Sequence, residues 1–136
     1  MKRLALTLIA SAICIFAFAQ NTGHVPQIRL VRNATLLLNY NGKKILLDPM
    51  LSSKGTFGSL TGHGVTPSVD LPMTISEIVD GVDFVLLTHD HIDHLDQRAI
   101  DAIDKKTPFF CQQENKQMLL DNNFSNTTAV IDSIVN

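Results

Sequence analysis

The sequence predicts a single α/β domain in which a β-hairpin is followed by alternating helices and strands. Three observations lead to this prediction: an Asn-Gly pair at residues 41–42 between two β-rich runs, a short apolar run at residues 83–88, and apolar residues at helical spacing within residues 99–103. The chain has 136 residues, of which 45% are hydrophobic, and both values suit one globular domain.

The first 19 residues have the features of a signal peptide. Lys2 and Arg3 form a positive start, residues 4–18 are apolar, and residues 17–19 read Ala-Phe-Ala, a small-x-small cleavage site. The alternative is an uncleaved membrane anchor, but an apolar run of about 15 residues is shorter than the ~20 needed to span a bilayer. We therefore expect cleavage before Gln20, a mature domain of residues 20–136, and export to the periplasm or the medium.

Cleavage would change the cysteine count and the charge of the mature chain. Cys14 leaves with the signal peptide, so Cys111 is the single remaining cysteine and no intramolecular disulfide is expected. Loss of Lys2 and Arg3 reduces the 11 basic residues to 9 against 13 acidic ones, a formal charge of −4. Such a chain has no basic cluster, so we expect no nucleic-acid partner. We also expect no stable membrane span after cleavage.

Two β-rich runs at residues 27–32 and 34–40 precede a third at residues 43–48. The pair Asn41-Gly42 separates the second run from the third, and both residues tolerate the positive φ that a type I′ turn requires. The sequence therefore predicts a β-hairpin that ends at Asp48-Pro49.

Turn, capping and periodicity signals define the elements after the hairpin. Residues 51–71 are rich in glycine, serine and threonine and predict a mobile loop. Thr74 and Glu77 match a capping box that opens a short helix, and the apolar run at residues 83–88 predicts a buried strand. The later predicted elements are a helix at 96–105, a strand at 107–111, a helix at 113–122 and a strand at 129–135.

Residues 88–96, Thr-His-Asp-His-Ile-Asp-His-Leu-Asp, contain three of the five histidines of the chain. Imidazole nitrogens and carboxylate oxygens are ligands that divalent metals accept, and zinc holds them at about 2.0–2.2 Å. The spacing His-x-His-x-Asp-His directly after a predicted strand therefore predicts a metal site. The alternative is a solvated histidine-rich loop, or a turn of helix-capping aspartates, that binds metal only adventitiously. The predicted ligands are His89, His91, Asp93 and His94.

This pattern resembles the signature of the metallo-β-lactamase superfamily. The resemblance covers residues 28–135 and implies the amino-terminal half of an αββα sandwich, in which two sheets pack face to face with helices outside. It assigns His89 and His91 to a first metal ion, and Asp93 and His94 to a second. It also implies that Asp93 is catalytic, because it orients the metal-bound hydroxide. The two divalent ions are expected to be zinc, with manganese or iron as alternatives.

Three further aspartates are candidates for a role beside the predicted ligands. By the same resemblance, Asp48 at the end of the hairpin supports the metal site, although capping of a turn before Pro49 explains it equally well. Asp90 is a candidate for orienting a ligating histidine, because such imidazoles usually donate their second N–H to a carboxylate or carbonyl. Asp96 either belongs to this site or is the N-cap of the following helix.

The resemblance implies a metal-dependent hydrolase that acts on a small-molecule ester, lactone or phosphodiester through a metal-bound hydroxide. The residues look most like the branch that includes ascorbate-6-phosphate lactonase and N-acyl phosphatidylethanolamine phospholipase D. No histidine follows His94, whereas members of the superfamily carry further ligands downstream, so the chain is expected to be truncated. The alternative function is a non-catalytic or truncated metal-binding remnant that lacks those ligands.

Overall fold

One mixed sheet of six strands organises residues 25–60 and 62–131, the part of the chain that the computed structural model describes. The strands lie side by side in chain order, and short helices connect the later ones. The strands are β1 Gln27–Arg32, β2 Thr35–Tyr40, β3 Lys43–Leu47, β4 Phe84–Leu87, β5 Phe109–Cys111 and β6 Thr127–Ala129. The helices are α1 Ile75–Val79, α2 Gln97–Ala102 and α3 Lys116–Asp121, and α3 follows a 3-10 turn at Gln113–Asn115.

The first three strands form an antiparallel meander with tight turns. β2 and β3 pair up to Tyr40 and Lys43, so that Asn41 and Gly42 make a two-residue connection. Their φ angles are 48° and 74°, and a type I′ turn requires positive φ at both central residues. The predicted hairpin is therefore confirmed.

β3, β4, β5 and β6 are parallel, so their carboxyl ends meet along one edge of the sheet. Asp48 follows β3 directly and Thr88 follows β4 directly. The backbone N–H of Asp48 continues the ladder by donating to the carbonyl oxygen of Leu86 at 3.0 Å. These parallel pairings place Asp48 beside the start of the histidine-rich loop.

The helices cover one face of the sheet and enclose the core. Each helix contributes a buried side chain to this core: Ile78 from α1, Ala99 from α2 and Leu119 from α3. Burying a large apolar side chain contributes about 1.5–3 kcal/mol, and this contribution holds the short helices on the sheet. The buried strand residues of this core include Leu37, Leu46, Val85 and Phe109.

The opposite face of the sheet is less covered in the described part of the chain. Ile28 and Leu30 lie on it and are 73% and 64% exposed. Near its centre the half-buried rings of Phe84 and Phe110 meet edge to face, with centroids 5.4 Å apart. One sheet with helices on one face is the arrangement expected for one half of an αββα sandwich. The predicted fold class is therefore confirmed.

Some predicted boundaries are wrong. The helix predicted at 96–105 is shorter, because Ile103 has extended backbone angles of φ −79° and ψ 133° and turns its buried side chain into the core. The helix predicted at 113–122 is divided, since a 3-10 turn precedes α3. The last strand begins at Thr127 instead of residue 129, because its register is set by pairing with β5.

Two predicted segments extend beyond the described part of the chain. The predicted signal peptide, residues 1–19, lies outside the described residues, as do residues 132–135 of the last predicted strand. Within residues 25–60 and 62–131, no helix has the length and hydropathy needed to cross a membrane.

Candidate metal centre

The predicted metal ligands lie in a turn between β4 and α2, at the carboxyl edge of the parallel strands. The carbonyl oxygen of His91 accepts hydrogen bonds from the backbone N–H groups of His94 at 2.8 Å and Leu95 at 2.9 Å. These bonds close a turn that brings residues 91 and 94 to the same side. The local sequence therefore folds back on itself, as the spacing of the histidines predicts.

Three imidazole rings are in contact in this turn. The ring centroid of His89 lies 3.8 Å from that of His94 and 4.6 Å from that of His91. His89 is thus the common neighbour of the other two rings. Three imidazoles in mutual contact place several nitrogen donors in one small region of the loop.

Asp48 orients the cluster from the end of β3. Its carboxylate is almost fully buried and accepts hydrogen bonds from the Thr88 backbone N–H at 2.7 Å and from the Thr88 hydroxyl at 2.8 Å. It also lies 3.0 Å from Nδ1 of His94. Asp48 has φ of 43°, a left-handed conformation that aspartate tolerates better than most residues. The structure therefore places the Asp48 carboxylate in contact with both Thr88 and His94.

These contacts favour one tautomer for each of two imidazoles. A carboxylate only accepts hydrogen bonds, so Nδ1 of His94 must carry the proton that it donates to Asp48. The Thr88 hydroxyl donates to Asp48 and can accept from Nδ1 of His89, 3.0 Å away. In the neutral rings, Nε2 of His89 and Nε2 of His94 then carry lone pairs. Those nitrogens are the atoms that can bind a metal ion.

Asp93 and His91 lie at the exposed side of the turn. The Asp93 side chain is 46% exposed, and its Oδ2 lies 3.8 Å from Nε2 of His94. His91 is exposed as well, and it contacts the cluster through His89. Both side chains are therefore at least partly accessible to solvent.

The two other aspartates of the loop differ in environment. Asp90 is exposed and lines a cavity of about 380 Å³ together with Ile92 and Gln97. The carboxylate that orients a histidine in the described structure is therefore that of Asp48, and the role suggested for Asp90 stays a prediction. Asp96 is the N-cap of α2, because its Oδ1 accepts from the backbone N–H of Ala99 at 2.8 Å.

The donor atoms of the cluster suit a borderline divalent ion such as zinc, because imidazole nitrogen and carboxylate oxygen are its usual ligands. In the present side-chain conformations, the donor atoms approach one another two at a time and do not surround a common point. Across residues 25–60 and 62–131, no three His, Cys, Asp or Glu side chains are arranged so that one ion could contact them all. The residues therefore fit part of a coordination shell.

Cys111 ends β5, at the same edge of the sheet. Burial raises the pKa of its thiol, and the positive charge of Lys116 offsets part of this effect. The thiol therefore stays protonated at neutral pH, and a protonated thiol is a poor metal ligand and a poor nucleophile.

Thr88 is a further residue of the candidate site, and the sequence pattern did not single it out. Its backbone and hydroxyl bind Asp48, and its hydroxyl contacts His89. A polar residue at the end of an apolar strand, directly before the first histidine, was the available signal.

Comparison with known proteins finds a matching family model and a similar protein from a bacterium. A family model described as "Beta-lactamase superfamily domain" matches residues 43–132, which include the whole histidine-rich loop. The UPF0173 protein YddR of Bacillus subtilis is 42% identical over 91 residues, which cover 64% of this chain and 36% of the relative.

Two solved structures are similar to this chain. A possible metal-dependent hydrolase from Veillonella parvula has a TM-score of 0.75 and 31% identity, with 81% of this chain and 44% of that chain covered. An isothiocyanate hydrolase from Delia radicum gut bacteria has a TM-score of 0.67 and 38% identity, with 77% of this chain and 41% of that chain covered. The chain thus spans less than half the length of each of these relatives.

Proposed function

This chain belongs to the metallo-β-lactamase superfamily, and from that premise we propose that the protein is a metal-dependent hydrolase whose metal ligands lie in the loop after β4. The contact of three imidazoles at the carboxyl edge of the sheet carries this proposal. An ordinary surface loop has no reason to hold three imidazole rings in contact with one another, with one of them hydrogen-bonded to a buried carboxylate. The proposed ligands are His89, His91, Asp93 and His94.

His89 and His94 are proposed to bind through Nε2, because hydrogen bonds occupy Nδ1 of each ring. Asp48 is proposed to keep His94 in this tautomer and to fix the orientation of its ring. His91 and Asp93 would complete the set by rotating their exposed side chains toward these nitrogens. Further ligands must come from residues other than those of the described cluster.

The proposed assignment has two ions, with His89 and His91 on one and Asp93 and His94 on the other. The nitrogen-rich donor set favours zinc, and manganese or iron are the alternatives. Such ions supply Lewis acidity and lower the pKa of water toward neutrality. Asp93 is the proposed catalytic residue of this chain, because its exposed carboxylate can accept a hydrogen bond from the attacking water and orient it.

The proposed reaction is hydrolysis of a small molecule at an electrophilic carbon or phosphorus, as in an ester, lactone or phosphodiester. Similarity to the isothiocyanate hydrolase adds the central carbon of an isothiocyanate as a second candidate. That similarity extends over 77% of this chain and includes 38% identical residues. It makes an isothiocyanate a useful first substrate beside the esters.

Two parts of the proposal concern the protein as a whole. We propose that residues 1–19 direct export, after which residues 20–136 belong to the periplasmic or secreted protein. The second candidate function is metal binding without turnover. It is favoured by the observation that the described residues do not gather three ligands around one point.

The test measures zinc content and hydrolytic activity. Both are measured for residues 20–136 and for the intact mature protein. We expect the protein to retain zinc after gel filtration, and His91→Ala to lose it while keeping its far-UV circular dichroism. His63→Ala is the matched control, because His63 is also exposed but lies in the loop between β3 and α1. Activity is measured with bis-p-nitrophenyl phosphate, p-nitrophenyl acetate and benzyl isothiocyanate. Equal zinc content in the wild type, His91→Ala and His63→Ala would show that the loop does not bind the metal.

A further inference from the structure

Both ends of the histidine-rich loop are hydrogen-bonded to one short segment, residues 48–52. At the start of the loop, Thr88 binds the carboxylate of Asp48. At its end, Oδ2 of Asp96 accepts a hydrogen bond from the backbone N–H of Ser52 at 2.7 Å. All five residues of the segment are buried. The four predicted ligands therefore lie between two anchors on the same piece of chain.

Buried polar side chains from β1 and β2 hold this segment in turn. The hydroxyl of Thr35 donates to the carbonyl oxygen of Asp48 at 2.7 Å and accepts from the backbone N–H of Met50 at 3.0 Å. The guanidinium of Arg32 donates to the carbonyl oxygens of Met50 at 2.8 Å and Ser52 at 2.6 Å. These side chains satisfy backbone groups that would otherwise be buried without partners.

Arg32 and Asp96 are costly residues to bury, being 2% and 1% exposed. Burial lowers the pKa of Arg32, whereas the negative charges of Asp96 and Asp70 raise it. A buried charge persists only where hydrogen bonds and opposite charges compensate its desolvation. Compensating hydrogen bonds of both Arg32 and Asp96 go to residues 48–52, and they hold this segment in a fixed position.

Capping of α2 does not account for both carboxylate oxygens of Asp96. Its Oδ1 caps the helix through Ala99, and a serine would serve that purpose equally well. Its Oδ2 instead bonds to Ser52, 44 residues earlier in the chain. Asp96, which accepts this second bond, lies two residues after His94 in the chain.

We propose that Asp96 is a positioning residue of the metal site, which fixes the end of the ligand loop on residues 48–52 as Asp48 fixes its start. This inference rests on the proposed function, because it assumes that the loop binds metal. Since Asp48 belongs to the same segment, the bond from Ser52 to Asp96 sets the placement of His94 relative to the carboxylate that orients it. Asp96 touches no ligand and acts only through this placement.

The test uses Asp96→Ser, which keeps a capping oxygen for α2 but is too short to serve Ser52 as well. Asp96→Asn is the second variant, because it keeps the size of the side chain and replaces one accepting oxygen by a donor. The matched control is Thr74→Ala, which removes the cap of α1, a helix that carries no predicted ligand. Zinc affinity is measured by competition with a chromophoric chelator, and the geometry of the site by the visible spectrum of bound Co²⁺.

We expect both Asp96 variants to bind zinc roughly ten- to hundredfold more weakly than the wild type and to change the Co²⁺ spectrum. Thr74→Ala should keep the wild-type affinity and spectrum although it also loses a helix cap. Wild-type affinity and an unchanged spectrum in the Asp96 variants would overturn this inference alone. A wild-type protein that binds neither Zn²⁺ nor Co²⁺ would overturn the proposed function, and the inference with it.

Discussion

Substitution of Asp48 by asparagine should remove the hydrogen bond that His94 donates to the end of β3. Asparagine has almost the same size and also tolerates the positive φ at this position. Its single oxygen can keep the bond from the Thr88 backbone N–H, but its NH₂ group then faces the Thr88 hydroxyl and Nδ1 of His94. Nδ1 of His94 would have to accept, so the ring would carry its proton on Nε2. That tautomer blocks the nitrogen proposed to bind metal.

The magnitude follows from the three bonds to the buried carboxylate. Hydrogen bonds to a charged group contribute about 1.5–3 kcal/mol each, roughly twice the contribution of neutral ones. Replacing the three by neutral or reversed bonds should lower the free energy of unfolding by about 2–4 kcal/mol. Loss of the partner that orients His94 should weaken zinc binding roughly ten- to hundredfold.

Urea unfolding followed by circular dichroism measures the first effect, and zinc competition measures the second. Asp83→Asn is the matched control. Asp83 precedes β4 and accepts from Nζ of Lys43 and the backbone N–H of Lys44, at the opposite end of the strand from the cluster. The substitution Asp83→Asn should leave the zinc affinity unchanged. Wild-type stability together with wild-type zinc affinity in Asp48→Asn would refute this account of the site.

Three further outcomes are expected. The backbone N–H of Thr74 holds the pKa of Glu77 below its ordinary value of 4.5, so the carboxylate stabilises the fold above pH 4.5 and loses this effect as the pH falls through its lowered pKa. The difference in melting temperature between the wild type and Glu77→Gln should therefore shrink below pH 4.5. Cys111 should react with Ellman's reagent only on unfolding, since the thiol is buried with a raised pKa, and rapid native labelling would contradict this. Gly42→Ala should lower the free energy of unfolding by about 1 kcal/mol, as φ there is 74°, and an unchanged urea midpoint would count against the type I′ turn.

Local chemistry made the hairpin and the capping box predictable from the sequence. Asn41 and Gly42 determine a turn without help from distant residues, and Thr74 and Glu77 satisfy each other within one helical turn. The ends of α2 and β6 were less predictable, because tertiary contacts determine them. Ile103 leaves the helix to reach the core, and pairing with β5 fixes β6.

The same distinction applies to the candidate site. The predicted ligands are neighbours in the chain, so their spacing was visible as a pattern. Their environment depends on residues far away, since 46 residues separate Asp48 from His94 and 44 separate Ser52 from Asp96. The buried guanidinium of Arg32 was not predictable, because its partners are backbone carbonyls 18, 20 and 37 residues later in the chain.

The most direct test of the central claim is a nitrogen-15 NMR spectrum of the histidine rings during zinc titration. The structure predicts that His89 and His94 carry their protons on Nδ1, and that zinc shifts the Nε2 resonances of the cluster while His63 stays unchanged. A proton on Nε2 of His94 in the metal-free protein, or zinc-independent resonances for all the rings, would contradict the assignment of this loop as a metal site.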